Sequence, residues 1–160
     1  MDEKPVKLNL GCADRAIEGF LSVDIVPPAD VIVDLRDFMW PWDNSSVECV
    51  VAHDIFEHLP DKRHTMNELW RVLKPGGRAD ICVPTAPGVG AWQDQTHASV
   101  WTAGDFEYYE KGNYARERFR GSEYYGVRAD FRIVKWHWAN YENKFGEEVK
   151  KFRILLECIK

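Results

Sequence analysis

The stretch "LNLGCADRAIEGFLSVDIV", Leu8 to Val26, decides the fold. Apolar residues at Val6, Leu8 and Leu10 run into Gly11, and a second apolar run, Phe20 to Ile25, carries Asp24 near its end. A glycine at a strand's end lets the backbone bend sharply and approach a ligand with no Cβ in the way, and the amide N–H groups beyond it can meet a carboxylate or hydroxyl. An acidic side chain at the tip of the neighbouring strand is placed to accept both hydroxyl hydrogens of a ribose. The competing reading of Asp24 is a turn cap ahead of Pro27 and Pro28. The bend reads Gly11-Cys12-Ala13 rather than Gly-x-Gly, and residues 11–19 leave little room for a helix between the strands. The absence of a full G-x-G-x-x-G turn opening a helix argues against hydride transfer to a dinucleotide.

Further strand-length apolar runs lie at Val31 to Leu35, Val47 to Ala52 and Ala79 to Val83. Several are near-continuous, the pattern of parallel strands buried on both faces. Between the last two, "DKRHTMNELWRVLKPGG" sets Met66, Leu69, Trp70 and Leu73 at i, i+3, i+4, i+7 and ends on Lys74-Pro75-Gly76-Gly77, an amphipathic helix with its breakers. In the C-terminal third Val127, Ala129, Phe131 and Ile133 alternate, then the phase slips to Val134, Trp136 and Trp138, as at a bulge. Phe152, Ile154, Leu156 and Cys158 alternate again, so the pair reads as a terminal antiparallel hairpin. "VPPAD" alone joins the second and third runs, whereas a helical crossover needs a dozen residues or more, so the helices of one face are reduced to vestiges. Lys7, Asn9, Glu48 and Asp80 inside the strands fit a sheet face that is solvated or covered by a partner chain, a homodimer being one form of it.

A chain of 160 residues with 45% hydrophobic residues is expected to be one domain, residues 1–160, with a core of its own. The formal charge of −5 argues against duplex nucleic acid as the main partner. "MDEKPVKLNLG" has no apolar leader-like run, and no stretch approaches a membrane span, so a cytoplasmic protein is expected. Cys12, Cys49, Cys82 and Cys158 form no C-x-x-C pair and read as buried thiols.

With these residues in view the sequence resembles the class I S-adenosylmethionine-dependent methyltransferases, in particular the compact type 11-like group. The resemblance rests on Asn9-Leu10-Gly11-Cys12-Ala13, Gly19-Phe20, Val23-Asp24, Asp34-Leu35, Trp40-Pro41-Trp42, "HDIFEHLPD" and "ELWRVLKPGGR". It implies an α/β Rossmann-like methyltransferase fold, a mostly parallel seven-stranded sheet of order 3-2-1-4-5-7-6 with strand 7 antiparallel. It also implies S-adenosylmethionine over the carboxyl ends of strands 1, 2 and 4. Asn9 would stand where the family has an acidic residue, Gly11, Cys12 and Ala13 would pass under the methionine moiety, and Asp24, with Ile25 beside it, would hold the ribose. Asp34 and Leu35 would flank the adenine, and His53 and Asp54 would face the sulfonium side. Ala13 in place of a second glycine is tolerable where its φ is negative.

"HDIFEHLPD" brings His53, Glu57 and His58 close in sequence, but the H-E-x-x-H arrangement is absent and no metal is expected. Phe56 and Leu59 are expected to pack inward, with Glu57 and His58 bracing neighbouring loops. After strand 5, His97 can take the proton of an acceptor hydroxyl or amine, with Asp94 to orient it; a histidine that only ties its own loop together is the alternative. Thr102 reads as the N-cap of a short helix carrying Phe106, Tyr108 and Tyr109. Residues 88–125 form a substrate-side loop and lid insert, in which Arg116, Arg118 and Arg120 can clasp an anionic or sugar acceptor or line a solvated edge. The expected activity is methyl transfer to a hydroxyl or amine of a small molecule or glycan. The rival is a non-catalytic protein of the same fold serving as a cofactor-binding or scaffold subunit.

Overall fold

The computed structural model describes residues 6–118 and 124–160. Seven strands form one sheet: β1 (Val6–Leu10), β2 (Leu21–Asp24), β3 (Val31–Ile32), β4 (Val47–His53), β5 (Leu73–Pro84), β6 (Phe131–Trp138) and β9 (Lys151–Cys158). Their order is β3-β2-β1-β4-β5-β9-β6, with β5, β9 and β6 antiparallel to one another in turn and the other neighbours parallel. With β9 as the seventh strand in chain order, this is the arrangement the resemblance implies. A small separate hairpin, β7 (Tyr141–Glu142) with β8 (Glu148–Val149), fills the connection between β6 and β9. The register of β6 against β9 shifts between Ile133 and Lys135, where the apolar alternation slips.

The one long helix, α1 (Lys62–Val72), starts at Asp61, whose carboxylate accepts the His64 amide at 2.9 Å. It buries Met66, Leu69 and Val72 against Leu8, Leu10, Val50, Ala52, Ala79, Ile81, Ile154 and Leu156. Full burial of each such side chain is worth roughly 1.5–3 kcal/mol. Glu68 and Arg71 tie α1 to the segment before β4. Glu68 accepts the Trp40 amide at 2.8 Å, and Arg71 donates to the carbonyls of Trp40 and Trp42 at 2.9 and 2.8 Å. Two short helices, α2 (Ala103–Glu107) and α3 (Tyr114–Arg118), follow β5. The Thr102 amide and hydroxyl both donate to Asp105, at 2.7 and 2.8 Å, so this residue holds the start of α2.

The other face of the sheet carries Lys7, Cys49, Val51, His53, Arg78, Asp80, Arg153, Leu155 and Glu157, all at least partly open to solvent. Because strand side chains alternate, these positions interleave with buried ones along β4, β5 and β9. They are joined by ion pairs: Lys7 with Glu48, His53 and Arg153 with Asp80, Arg78 and Arg132 with Glu157. Among the described residues no helix is long and apolar enough to cross a membrane.

Candidate functional site

Gly11 follows β1 with φ +62°, and a Cβ built on it would lie 2.6 Å from the Cβ of Ile55. The position therefore demands glycine twice over, for its left-handed backbone and for the close passage of the loop after β4. The bend it makes opens a cavity of about 360 Å³ over the carboxyl ends of β1, β2 and β4. That is at the small end of the range for small-molecule sites. Gly11, Ala13, Asp24, Ile25, Asp34, Leu35 and Asp54 from the sequence reading line it, and so do Arg15, Arg36, Ile55, His58 and Thr96.

Asp24 closes the β2 tip onto the β1 bend. Its carboxylate accepts the Ala13 amide at 2.9 Å through one oxygen and the Ile25 amide at 2.7 Å through the other. The Oδ1 oxygen also takes the Val26 amide at 3.4 Å, and Oδ2 retains acceptor capacity for a further donor. The capping reading and the ligand-facing reading of Asp24 are thus both compatible with one geometry. Ala13, however, has φ +47°, not the negative value that makes it a neutral replacement for glycine. A left-handed residue with a Cβ is strained by roughly 1–2 kcal/mol.

At the other end of the cavity Arg36 grips Asp34 with Nε at 2.8 and 3.0 Å and Nη2 at 2.6 Å, and its amide adds a bond at 2.9 Å. These hydrogen bonds hold the Asp34 carboxyl below the usual carboxylate range. Asp54, itself at φ +57°, is paired with Lys151 of β9 at 2.7 Å.

Asn9, Cys12 and His53 do not line this cavity. Asn9 and His53 sit on alternate positions of β1 and β4 and so face the opposite side of the sheet. There Asn9 donates to the Arg15 carbonyl at 2.7 Å, and His53 Nε2 lies 3.4 Å from Asp80. Asn9 thereby braces the cofactor-side bend from behind. Cys12 is buried, its amide bonded to the Val23 carbonyl. All four cysteines are free thiols.

Beside the cavity, Phe56–His58 form a single 3₁₀ turn that buries Phe56, with Leu59 buried beyond it. His58 Nδ1 lies 3.2 Å from the Thr96 carbonyl, and the Glu57 carbonyl accepts the amides of Ala98 and Ser99. The turn and the loop after β5 are thus stitched together, and His97 is brought against both residues. Its ring meets that of His58 edge-on at 4.9 Å, and its Nε2 is 3.9 Å from Glu57 Oε1 and 3.9 Å from Asp94 Oδ2. Burial, and less strongly the Asp54 and Asp94 charges, push the Glu57 carboxyl up to about 8 against its own amide and Lys151. One ligand atom each from Glu57, His58 and His97 lie within 4.8 Å of one another. The sequence grouping of His53 with Glu57 and His58 is replaced by one with His97, because His53 belongs to the other sheet face. His97 stands behind His58 rather than on the cavity wall, so it reaches the cavity only through what it touches.

In the insert, Arg116 turns inward, donating to the Ala129 carbonyl at 2.9 Å beside Asp130, so it does not project toward an acceptor. Arg118 donates to the Tyr114 hydroxyl at 3.0 Å, and Arg120 lies outside the described residues.

The sequence model of the methyltransferase domain family (Methyltransf_11) matches residues 21–81. Among solved structures, a putative methyltransferase of Haloferax volcanii, in complex with the Trm112 methyltransferase activator, aligns with TM-score 0.65 and 17% identity over 99% of this chain and 84% of that one. A Methanosarcina mazei protein described as a SAM-dependent methyltransferase aligns with TM-score 0.61 and 15% identity over 99% and 94%. The N-methyltransferase NodS of Bradyrhizobium japonicum, in complex with S-adenosyl-L-homocysteine, aligns with TM-score 0.60 and 12% identity over 98% and 79%. At these identities the likeness is one of fold. The chain has the fold of these S-adenosylmethionine-dependent methyltransferases, and the methyltransferase-domain family model matches it from its second strand into its fifth.

Proposed function

We propose that the protein transfers a methyl group from S-adenosylmethionine to a hydroxyl or amine of a small molecule or glycan. The observation that carries this reading is that Gly11 and Asp24 open onto one cavity at the carboxyl ends of adjacent parallel strands. Asp24 would accept the ribose hydroxyls, the Asp34-Leu35-Arg36 end would receive the adenine, and Arg15 would pair with the methionine carboxylate. The sulfonium methyl then faces Asp54 and His58, with Thr96 beside them. Positioning supplies most of the acceleration of such a displacement. His97 and Asp94 act here through His58 and Thr96 rather than by touching the acceptor. Arg15, Arg36, His58 and Thr96 have no spacing rule that marks them; only the fold gathers them.

Titration calorimetry with S-adenosylmethionine and S-adenosylhomocysteine tests the reading, and lack of binding at millimolar cofactor overturns it. A second reading, a scaffold subunit that keeps the fold without the reaction, draws support from the strained Ala13, the closed Asp34–Arg36 pair and the open sheet face. The Haloferax neighbour was solved in complex with an activator chain, which supports a role beside a partner. Cofactor affinity separates the enzyme from a scaffold without cofactor, and methyl transfer measured with cofactor bound separates it from a cofactor-binding subunit.

A further inference from the structure

Glu57 is the least explained side chain in the molecule. It is 2% exposed, its Oε2 makes no hydrogen bond, and His97 Nε2 lies 3.9 Å from its Oε1. A buried acceptor with no donor costs free energy unless something else fills its coordination. The two histidines beside it are arranged in a matching way. His97 Nδ1 lies 3.3 Å from the Ala91 carbonyl, and His58 Nδ1 lies 3.2 Å from the Thr96 carbonyl and 3.1 Å from the Thr96 hydroxyl, whose own proton goes to Asp94 Oδ1 at 2.6 Å. A carbonyl can only accept, so each Nδ1 carries the proton and each Nε2 presents its lone pair. Anchoring of the far ring nitrogen to a backbone carbonyl is how metal-ligating histidines are held in their tautomer and orientation.

We propose that Glu57, His58 and His97 bind one divalent first-row ion, Zn²⁺ in the first place, at the acceptor end of the cavity. Two imidazoles and a carboxylate form a donor set that suits zinc, with an open fourth position typical of reactive rather than structural sites. His58 lines the cavity, so that position opens toward whatever occupies it. One donor atom from each residue lies within 4.8 Å of the others, and the three need to close to about 3.3 Å around an ion with bonds of about 2.0–2.1 Å. Asp94 stands 3.9 Å from His97 Nε2, and its Oδ1 accepts from the Thr96 amide and hydroxyl, at 2.8 and 2.6 Å. It therefore braces the loop on which His97 rides. The binding itself is independent of the methyl-transfer reading; the role given to the ion rests on it. An oxygen donor in the open position is made more acidic by the ion, which selects a hydroxyl-bearing acceptor over an amine.

Chelator-treated protein titrated with Zn²⁺ in a calorimeter is expected to take up one ion per chain at micromolar concentration or below. His97→Ala and Glu57→Gln should each weaken uptake tenfold or more, with circular dichroism reporting that both variants are folded. His137→Ala, on the open sheet face, should leave uptake unchanged. Co²⁺ loading should give visible d–d absorption that His97→Ala abolishes. No uptake, or uptake that survives His97→Ala undiminished, overturns the proposal. S-adenosylmethionine affinity measured on the same preparations with chelator present separates the two claims. Ion uptake without cofactor binding removes the methyl-donor reading alone, and cofactor binding without ion uptake removes the metal site alone.

Discussion

The β1–β3 half of the sheet and the β4–β5–β9–β6 half are built to different standards. In the first, strands of 5, 4 and 2 residues are joined by links without helices, and Leu21, Ile25, Val26 and Ile32 stand exposed. In the second, strands of 7, 12, 8 and 8 residues carry α1 and most of the buried side chains. The comparison teaches where each property resides. The second half holds the fold, while the first supplies a bend, an acidic tip and a cavity wall at little expense in chain. Substitutions in the two halves should accordingly separate stability from ligand affinity.

The largest effect is expected at Leu69, fully buried on α1 among residues of the second half. Leu69→Ala should lower unfolding free energy by about 3 kcal/mol through lost burial and a residual cavity. Chemical denaturation measures it. A loss below 1 kcal/mol would mean that α1 does not anchor the fold.

Asp24→Ala comes next and should act on affinity instead. Loss of a charge-assisted acceptor is worth about 2 kcal/mol, or roughly thirtyfold in cofactor binding. The midpoint of denaturation should move little, because the amides that Asp24 receives are at an exposed surface and water can replace it. Unchanged cofactor affinity removes Asp24 from the site, and a large fall in stability would contradict the division between the halves.

Asp80 tests whether the open face contributes anything to the well-built half. Burial alone would raise its pKa, but the hydrogen bonds from Arg153, with Nε at 2.8 Å, and the His53 ring nitrogen 3.4 Å away hold it well below the usual carboxylate range. A depressed carboxylate stabilises the fold fully above its unfolded pKa, and that contribution is lost as pH falls through the folded one. Asp80→Asn should therefore cost about 1 kcal/mol at neutral pH, a figure kept small by solvent around Arg153. The gap between variant and parent should narrow below roughly pH 4. A gap that does not change with pH would assign the loss to packing rather than to charge.

The sequence shows the well-built half more fully than the spare one. The start of β4 at Val47, the Met66 and Leu69 face of α1, the buried Phe56 and the phase slip near Val134 all follow from alternation or helical spacing, which burial enforces. The apolar run from Val31 to Leu35 gives only two residues of strand, because at the sheet edge little packing holds the rest extended. His53 reads as cofactor-facing by adjacency to Asp54, yet period-two alternation sends it to the other face. The approach of His97 to Glu57 has no local signal, since it depends on the loop after β5 returning to the turn after β4, where the Glu57 carbonyl takes the Ala98 and Ser99 amides.

The smallest predicted effect is the most telling about the spare half. Ala13 holds φ +47° where glycine would be relaxed, and its amide is aimed at Asp24. Ala13→Gly should remove the left-handed strain while adding freedom to the unfolded chain, for a net gain of about 0.5–1 kcal/mol in stability. If the strain serves to aim that amide, the same substitution should loosen Asp24 and weaken cofactor binding while it stabilises the protein, so denaturation and calorimetry on one variant would move in opposite directions. A gain in both would show that the alanine is a tolerated departure. A loss of stability would mean that the bend relies on the Ala13 methyl group for packing, and that the β1–β3 half is held more tightly than its short strands imply.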